Sequence, residues 1–142
     1  MRRILVATDG SPGANRAVDA AARLAKNTGC ELIIVTVGGS ITGAELRELA
    51  SNYGDLSKTL ESAADKILGQ ARKRANRIGI DNVKLRTGWG DPADSIIETA
   101  RGEKADLIVV GRRGGSRLSA LLLGSVSQKV TSLAHCVVMV VP

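Results

Sequence analysis

Residues 4–12 have the sequence ILVATDGSP, which contains a strand, a turn and the start of a helix. The apolar run 4–7 predicts a buried strand, and the turn residues 8–10 end it. Ser11 is a favourable N-cap, and Pro12 is favourable as the first residue of a helix. Because every position of the strand is apolar, it is typical of a parallel sheet that is covered on both faces. The opening of the chain therefore predicts an α/β fold.

The same alternation of apolar runs and helical periods continues to the end of the chain. It predicts further strands at 32–37, 83–87, 105–110 and 137–141, and helices that begin at Pro12, Leu56, Pro92 and Ser125. Residues 38–52 are the least regular stretch, and we expect a loop there. Right-handed crossovers between five strands and four helices favour a doubly wound parallel sheet with helices on both faces. We expect the strand order 3-2-1-4-5, with a ligand site beyond the carboxyl ends of the strands.

The length and composition fit one domain over residues 1–142. Hydrophobic residues make up 44% of the chain, which is enough for a core. No segment approaches the ~20 apolar residues that span a bilayer, and the apolar stretch after the basic start ends too early for a secretory signal. Cys30 and Cys136 are far apart and form no CxxC pair, which favours free thiols in a reducing compartment. We therefore expect a cytoplasmic protein without a membrane partner.

The net charge of +6 raises the question of nucleic-acid binding, because Lys and Arg neutralise phosphates. The basic residues are, however, spread along the chain, with acidic residues such as Glu61, Asp65, Asp91 and Glu98 among them. One Trp, one Tyr and no Phe offer no stacking platform for single strands. The composition thus argues against nucleic acid as a partner and favours a mildly basic surface.

Residues 111–127 carry the strongest functional signal, with the sequence GRRGGSRLSALLLGSVS. Gly111 directly follows a predicted strand, and Gly124 and Ser125 open a predicted helix. Glycines allow close approach of a ligand and positive φ, and the first amides of a helix are unpaired and partly positive. The hydroxyls of Ser125 and Ser127 add donors. The segment predicts a phosphate site built from backbone amides, although the same residues also suit a plain turn and helix cap.

The spacing G-x2-G-x9-G-S, which begins at Gly111, resembles the ATP-binding fingerprint of the universal stress protein family. The strand and turn at 4–11 resemble the opening of the same family. The likeness covers the whole chain and is weakest over 38–52. It implies an ATP-binding regulatory stress protein without efficient catalysis, in which Mg²⁺ can accompany the triphosphate.

The resemblance also implies roles for individual positions. Asp9 and the backbone near Val37 hold the nucleoside, and the start of the last helix binds the phosphates. The implied ATP site comprises Ala7, Thr8, Asp9, Val37, Gly111, Arg112, Gly114, Gly124, Ser125, Val126 and Ser127. Arg113 and Arg117 are close enough in sequence to reach phosphates, but the motif does not fix them. Family members commonly pair the last strand with its copy, which implies a homodimer through residues 137–141.

Other nucleotide-binding classes are excluded by missing motifs. The chain has no GxxxxGK[ST] P-loop and no GxGxxG dinucleotide motif. A receiver domain would need a phosphorylatable Asp near 87–90, and a flavodoxin-like protein would need aromatic residues around its flavin. We expect Trp89 to pack along the carboxyl edge of the sheet, and His135 has no metal or catalytic partner nearby in sequence. Two alternatives stay open: a slow phosphohydrolase or phosphotransferase with Asp9 as its one candidate base, and a partner-binding module with a vestigial ligand site.

Overall fold

The computed structural model describes residues 1–38, 56–112 and 122–142. Within those ranges the strands are β1 (Arg3–Ala7), β2 (Glu31–Val37), β3 (Val83–Gly88), β4 (Leu107–Gly111) and β5 (Val137–Val141). The helices are α1 (Pro12–Thr28), α2 (Leu56–Ile78), α3 (Pro92–Gly102) and α4 (Ser125–Leu133). The predicted order of elements is confirmed, and the predicted ends differ by one or two residues. The loop predicted for 38–52 lies outside the described residues, except for Gly38.

The five strands form one parallel sheet in the order β3-β2-β1-β4-β5. In the centre of the sheet, Leu5 of β1 lies between Ile33 of β2 and Ile108 of β4. The prediction of a doubly wound α/β fold with the order 3-2-1-4-5 is therefore confirmed. β3 and β5 are the two edges of this sheet.

The two faces of the sheet are covered by different pairs of helices. Ile4 and Leu32 belong to a core shared with α1 and α2, whereas Leu5 and Ile33 belong to a core shared with α3 and α4. Side chains of a strand alternate between faces, so a strand that is covered on both faces is apolar at every position. This is the physical origin of the unbroken apolar runs in β1, β2 and β4.

Local capping places the starts of two helices at the carboxyl edge of the sheet. The Ser11 hydroxyl accepts the Ala14 amide at 3.2 Å, and the Asp91 carboxylate accepts the Asp94 amide at 3.0 Å. Both caps are the predicted ones. Gly10 and Gly90, with φ of 82° and 88°, occupy the left-handed region in the turns that precede these caps. β1 and β3 are thus each followed within a few residues by a helix whose first amides lie at the same edge.

The edge strand β5 has one covered face and one partly open face. Val138 and Val140 pack against the core beneath α3 and α4. On the other face Val137 is 64% exposed and Met139 is 36% exposed. The open face of β5 is therefore apolar along its first half.

Across residues 1–38, 56–112 and 122–142, no helix combines the length and the apolar character that crossing a membrane requires. Cys30 is buried and Cys136 is partly buried, and both are free thiols. Burial raises the pKa of the Cys136 thiol.

Candidate functional site

A cleft of about 520 Å³, counting the space open to solvent, lies at the carboxyl edge of the sheet. Clefts that bind small molecules commonly measure about 300–1,000 Å³. The lining residues come from β1, β2, β4 and from the first turns of α1, α3 and α4. They are Ala7, Thr8, Asp9, Ala14, Val35, Val37, Pro92, Ile96, Val110, Gly111, Val126 and Ser127. Seven of the eleven residues predicted for the ATP site therefore meet in one cleft.

The cleft forms where the chain reverses its direction of winding. From β1 the chain moves to β2 through α1, whereas β4 joins the other side of β1 after α3. Loops that leave β1 and β4 in opposite directions open a crevice between them, which is the usual ligand position in such sheets. Gly111 closes the base of this crevice, because a Cβ built there would lie 3.0 Å from the carbonyl oxygen of Gly13.

One end of the cleft is apolar. Val35 and Val37 of β2 face Pro92 and Ile96 in the first turns of α3. Val35, Val37 and Ile96 are buried. The sequence analysis missed Val35, Pro92 and Ile96, together with Ala14 and Val110. The available signal was the Asp91-Pro92 helix start, because a helix that begins at the carboxyl edge brings its first apolar residues to the site.

The middle of the cleft is polar and belongs to the turn after β1. The Thr8 hydroxyl accepts the Gly10 amide at 3.1 Å, and one carboxylate oxygen of Asp9 accepts the Ser11 amide at 2.9 Å. These two bonds fix both side chains against the backbone of the turn. Among the described residues, the second carboxylate oxygen of Asp9 has no partner, and it can accept a hydrogen bond from a ligand.

The other end of the cleft is the start of α4. The first helical hydrogen bond runs from the Gln128 amide to the Gly124 carbonyl at 2.9 Å. Helix geometry therefore leaves the amides of Ser125, Val126 and Ser127 without a carbonyl acceptor within the helix. They carry the partial positive charge of the helix dipole, which suits an anion.

Gly124 differs from its predicted role in two respects. Its amide donates to the Arg112 carbonyl at 2.8 Å, so it is not one of the free amides. Its φ of −65° is one that any residue adopts, so the predicted need for a positive φ is wrong at this position.

Gly124 is the N-cap of α4 and makes no side-chain cap, so the reading of Ser125 as a helix cap is also wrong. Ser125 is the first helical residue, and its hydroxyl is exposed.

The prediction that the Ser127 hydroxyl is a donor for the ligand is wrong. Ser127 is only 3% exposed, and its hydroxyl donates to the Arg112 carbonyl at 2.7 Å, with the Gly124 carbonyl at 3.1 Å as second acceptor. A hydroxyl has one hydrogen, which this arrangement uses within the protein. Ser127 therefore fastens the start of α4 to the end of β4 and offers the cleft its backbone amide.

The Arg112 carbonyl is the point at which these contacts converge. It accepts both the Gly124 amide and the Ser127 hydroxyl, while the Arg112 amide donates to the Val141 carbonyl at 2.7 Å. The two ends of the glycine-rich segment are thus held together next to the cleft. Gly114, Arg113 and Arg117 lie outside the described residues.

Beside the apolar end of the cleft, the backbone of the rim packs against the side chain of Trp89. A Cβ at Gly38 would overlap the indole ring of Trp89, so the ring packs directly on the backbone that follows Val37. Trp89 is 50% exposed and lies along the carboxyl edge, which confirms the position expected from sequence.

An ion-pair cluster joins the starts of α3 and α4. The Lys129 ammonium lies 3.1 Å from the Asp91 carboxylate and 3.2 Å from that of Asp94. The hydrogen bond from the Asp94 amide, followed by that from Lys129, lowers the pKa of Asp91, and the same carboxylates raise the pKa of Lys129. The positive charge of Lys129 is therefore directed to these carboxylates, and Asp9 is the one charged residue in the lining of the cleft.

Over the described ranges, no group of three or more His, Cys, Asp or Glu side chains is placed to hold a metal ion. His135 lies between α4 and β5, at the edge of the sheet opposite the cleft.

Comparisons with known proteins agree with this architecture. The model of the universal stress protein family matches residues 1–142. Universal stress protein YxiE of Bacillus subtilis is 36% identical over 147 residues, covering 98% of this chain and 97% of that protein.

Two solved structures resemble the fold closely. A universal stress protein in complex with cAMP has a TM-score of 0.71 at 32% sequence identity, covering 99% of this chain and 96% of that one. The universal stress protein UspA from Lactobacillus plantarum has a TM-score of 0.77 at 25% identity, covering 99% and 97%. The family model and the relatives span essentially the whole chain, and this protein belongs to the universal stress protein family.

Proposed function

We propose that this protein binds ATP in the cleft at the carboxyl edge and acts as a nucleotide-responsive regulatory stress protein in the cytoplasm. The observation that carries the proposal is the pairing of an apolar pocket with a free helix N-terminus in one cleft. A related structure, 32% identical, is a complex with cAMP, which supports an adenine nucleotide as the ligand class.

The chemistry of the cleft suggests how the nucleotide lies. The adenine ring is flat and largely apolar on its faces, so it suits the space between Val37 and Ile96. The free carboxylate oxygen of Asp9 can accept a hydrogen bond from a ribose hydroxyl, with Gly111 below it. The phosphates then reach the amides of Ser125 and Val126, where the helix dipole favours negative charge.

Four further predicted residues extend this arrangement. Ala7 and Thr8 supply the floor beside Asp9, and Arg112 contributes a positive charge at the start of the glycine-rich segment. Gly114 completes the phosphate path in the proposal. Mg²⁺ usually keeps several waters and binds through phosphates, so in the proposal it accompanies the triphosphate and not Asp9, whose free oxygen faces the ribose.

We infer that the nucleotide is held rather than turned over. Phosphoryl transfer needs a group that positions or activates the attacking water at the γ-phosphate. Among the described residues, the lining of the cleft contains no His, Lys or Cys, and the one carboxylate there, Asp9, is assigned to the nucleoside end. The measurements of ATP affinity and phosphate release described below distinguish this proposal from a slow phosphohydrolase and from a protein with a vestigial ligand site.

The first prediction separates the phosphate site from the rest of the cleft. Ser125→Ala removes one hydroxyl donor and keeps the amides. Because a hydrogen bond to a charged group contributes roughly 1.5–3 kcal/mol, ATP affinity should fall about ten- to a hundredfold. Calorimetry with ATP, AMP, cAMP and adenosine gives the measurement, and adenosine should be nearly indifferent to the change. Ser132→Ala, at the far end of the same helix, is the matched control. Unchanged ATP affinity in Ser125→Ala, or no ATP binding by the wild type, contradicts the proposal.

The second prediction concerns Ser127, which acts through the Arg112 carbonyl rather than on the ligand. Ser127→Ala leaves that carbonyl with one partner fewer, which should cost about 1–3 kcal/mol of folding free energy. ATP affinity should fall several-fold while adenosine affinity changes little, because the amides of α4 shift. Ser127→Thr, which keeps the hydroxyl, should restore most of the ATP affinity. If Ser127→Ala lowers thermal stability but leaves ATP affinity unchanged, Ser127 stabilises the fold and does not position the ATP site.

The third prediction concerns turnover. Typical enzymes turn over at about 10 per second, and we expect phosphate release from ATP to be slower by orders of magnitude. A phosphate-release assay on the purified protein gives the rate, with Asp9→Asn as the comparison. Brisk release that survives stringent purification and disappears in Asp9→Asn would favour the phosphohydrolase alternative.

We propose further that β5 pairs with its copy in a homodimer. Its outer edge has no strand beside it among the described residues, and Val137 and Met139 leave one face apolar. Uncovered apolar edges are usually paired or protected, and a two-fold axis would bury the same surface of both copies. Val138 and Val140 are poor test positions because they pack in the core.

The fourth prediction tests this dimer. Val137→Asp with Met139→Asp should convert the dimer to a monomer at micromolar concentration, because like charges oppose each other across the axis. Sedimentation gives the assembly state, and a thermal melt shows that the fold persists. Asn27→Asp with Asn76→Asp adds the same charge at exposed positions on α1 and α2 and should leave the dimer intact. A monomeric wild type would refute the pairing.

A further inference from the structure

The positive charge of this protein is concentrated on one layer of helices. The sequences of α1 and α2 contain nine Lys or Arg and three Asp or Glu, whereas those of α3 and α4 contain two of each. The composition argued against nucleic acid because basic residues are spread along the chain. The fold gathers them, because α1 and α2 cover the same face of the sheet.

The exposed cations form two rows along these helices. On α2, Lys66, Lys73 and Arg77 are exposed and repeat at intervals of seven and four residues, which places them on one stripe. On α1, Arg16 and Arg23 are exposed and seven residues apart. We call these five residues the basic face.

The contacts between the helices show that the two rows are neighbours. Arg74 of α2 donates to both carboxylate oxygens of Asp19 of α1, at 2.9 and 2.7 Å. The Lys26 ammonium donates to the Ile78 carbonyl at 3.1 Å. Residues that flank these contacts on the outer side therefore line a shared groove between α1 and α2.

Little negative charge opposes the basic face. Within the described part of the chain, the pair of Asp19 and Arg74 is the one ion pair on these two helices. Glu61 and Asp65 of α2 lie on a different stripe from Lys66, since positions four apart share a face and adjacent positions do not. No ion pair among the described residues neutralises these five cations, although Arg16 Nε donates to the Pro142 carbonyl at 3.0 Å and Arg77 Nε donates to the Lys73 carbonyl at 3.4 Å.

We propose that the basic face binds the phosphate backbone of double-stranded nucleic acid without reading its sequence. The eleven residue steps from Lys66 to Arg77 span about 16 Å of helix, and the phosphates of each strand of a duplex are spaced about 3.4 Å apart along the duplex axis. Packed helices lie about 8–10 Å apart, so the cation rows of α1 and α2 run side by side with a groove between them. A duplex, which is a rod of negative charge, can lie against both rows. Arginine forks and the exposed amides of Asn27 and Gln70 are suitable donors for phosphate oxygens.

The duplex fits this face better than other polyanions do. Single strands are held by stacking on aromatic side chains, and the described positions of α1 and α2 include none. Peripheral helices that lie on a bilayer insert an apolar face, whereas the apolar residues of these helices face the core. The proposal does not depend on a ligand in the cleft, because none of the five residues of the basic face lines it; the first turn of α1 reaches the cleft through Ala14, and the starts of α3 and α4 complete it.

The test uses the full chain and a labelled 30-base-pair duplex of random sequence. Fluorescence anisotropy should show binding at low salt, with log K falling against log salt at a slope of about −4 to −5 for five phosphate contacts. Arg23→Gln, Lys73→Gln and Arg77→Gln, combined in one variant, should reduce affinity at least about tenfold and bring the slope about 3 closer to zero.

The matched control removes the same net charge outside α1 and α2: Arg2→Gln, Arg101→Gln and Lys104→Gln, all exposed in the structure. It should keep the wild-type slope, and both variants should keep the wild-type ATP affinity, whatever that is. Equal losses in both variants would mean that net charge alone is responsible and would overturn the proposal. So would preference for an oligothymidine strand, or binding to vesicles of one-third phosphatidylserine without binding to the duplex.

Discussion

The central position of β1, hydrogen-bonded to β2 on one side and to β4 on the other, is the constraint on which the rest of the structure depends. A strand in that position is cut off from water on both faces and both edges, so each of its side chains must find an apolar neighbour. The chain meets this demand with two helices on each face. Parallel connections then return every helix start to the carboxyl edge. The cleft therefore forms because the helices that cover β1 begin at this edge of the sheet.

The parts of the fold that sequence predicted correctly are those set by short-range chemistry. Ser11 and Asp91 cap the helices that follow them, because a cap needs only an amide three residues away. Apolar runs identify buried strands for the same local reason. The expectation of a doubly wound parallel sheet with helices on both faces followed from the handedness of crossovers, which holds across parallel sheets in general.

The parts of the site that sequence missed depend on distances between segments. Ser127 and Arg112 are fifteen residues apart, and only the fold brings the hydroxyl to the carbonyl. From sequence, a serine in the first turn of a helix is equally suited to a ligand or to a neighbouring carbonyl. Pro92 and Ile96 reach the cleft because α3 begins beside β2, a relation that no local pattern contains. Local rules predicted which amides are available, but not which of them the protein already uses.

The cleft proposed for the nucleotide and the basic face use different physics, and they lie at the carboxyl edge of the sheet and on the outer surface of α1 and α2, respectively. Amides and a helix dipole bind anions at short range from fixed positions, and Asp9 is the one charged group in the lining. Exposed Lys and Arg side chains attract phosphates over a distance limited by salt to about 8 Å at physiological ionic strength. The rows on α1 and α2 lie on the outer surface of their layer, with the helices between them and the sheet. The chain's net charge of +6 is therefore not explained by the nucleotide site. In our proposal an external polyanion compensates the five exposed cations of the basic face, which lie on two adjacent helices.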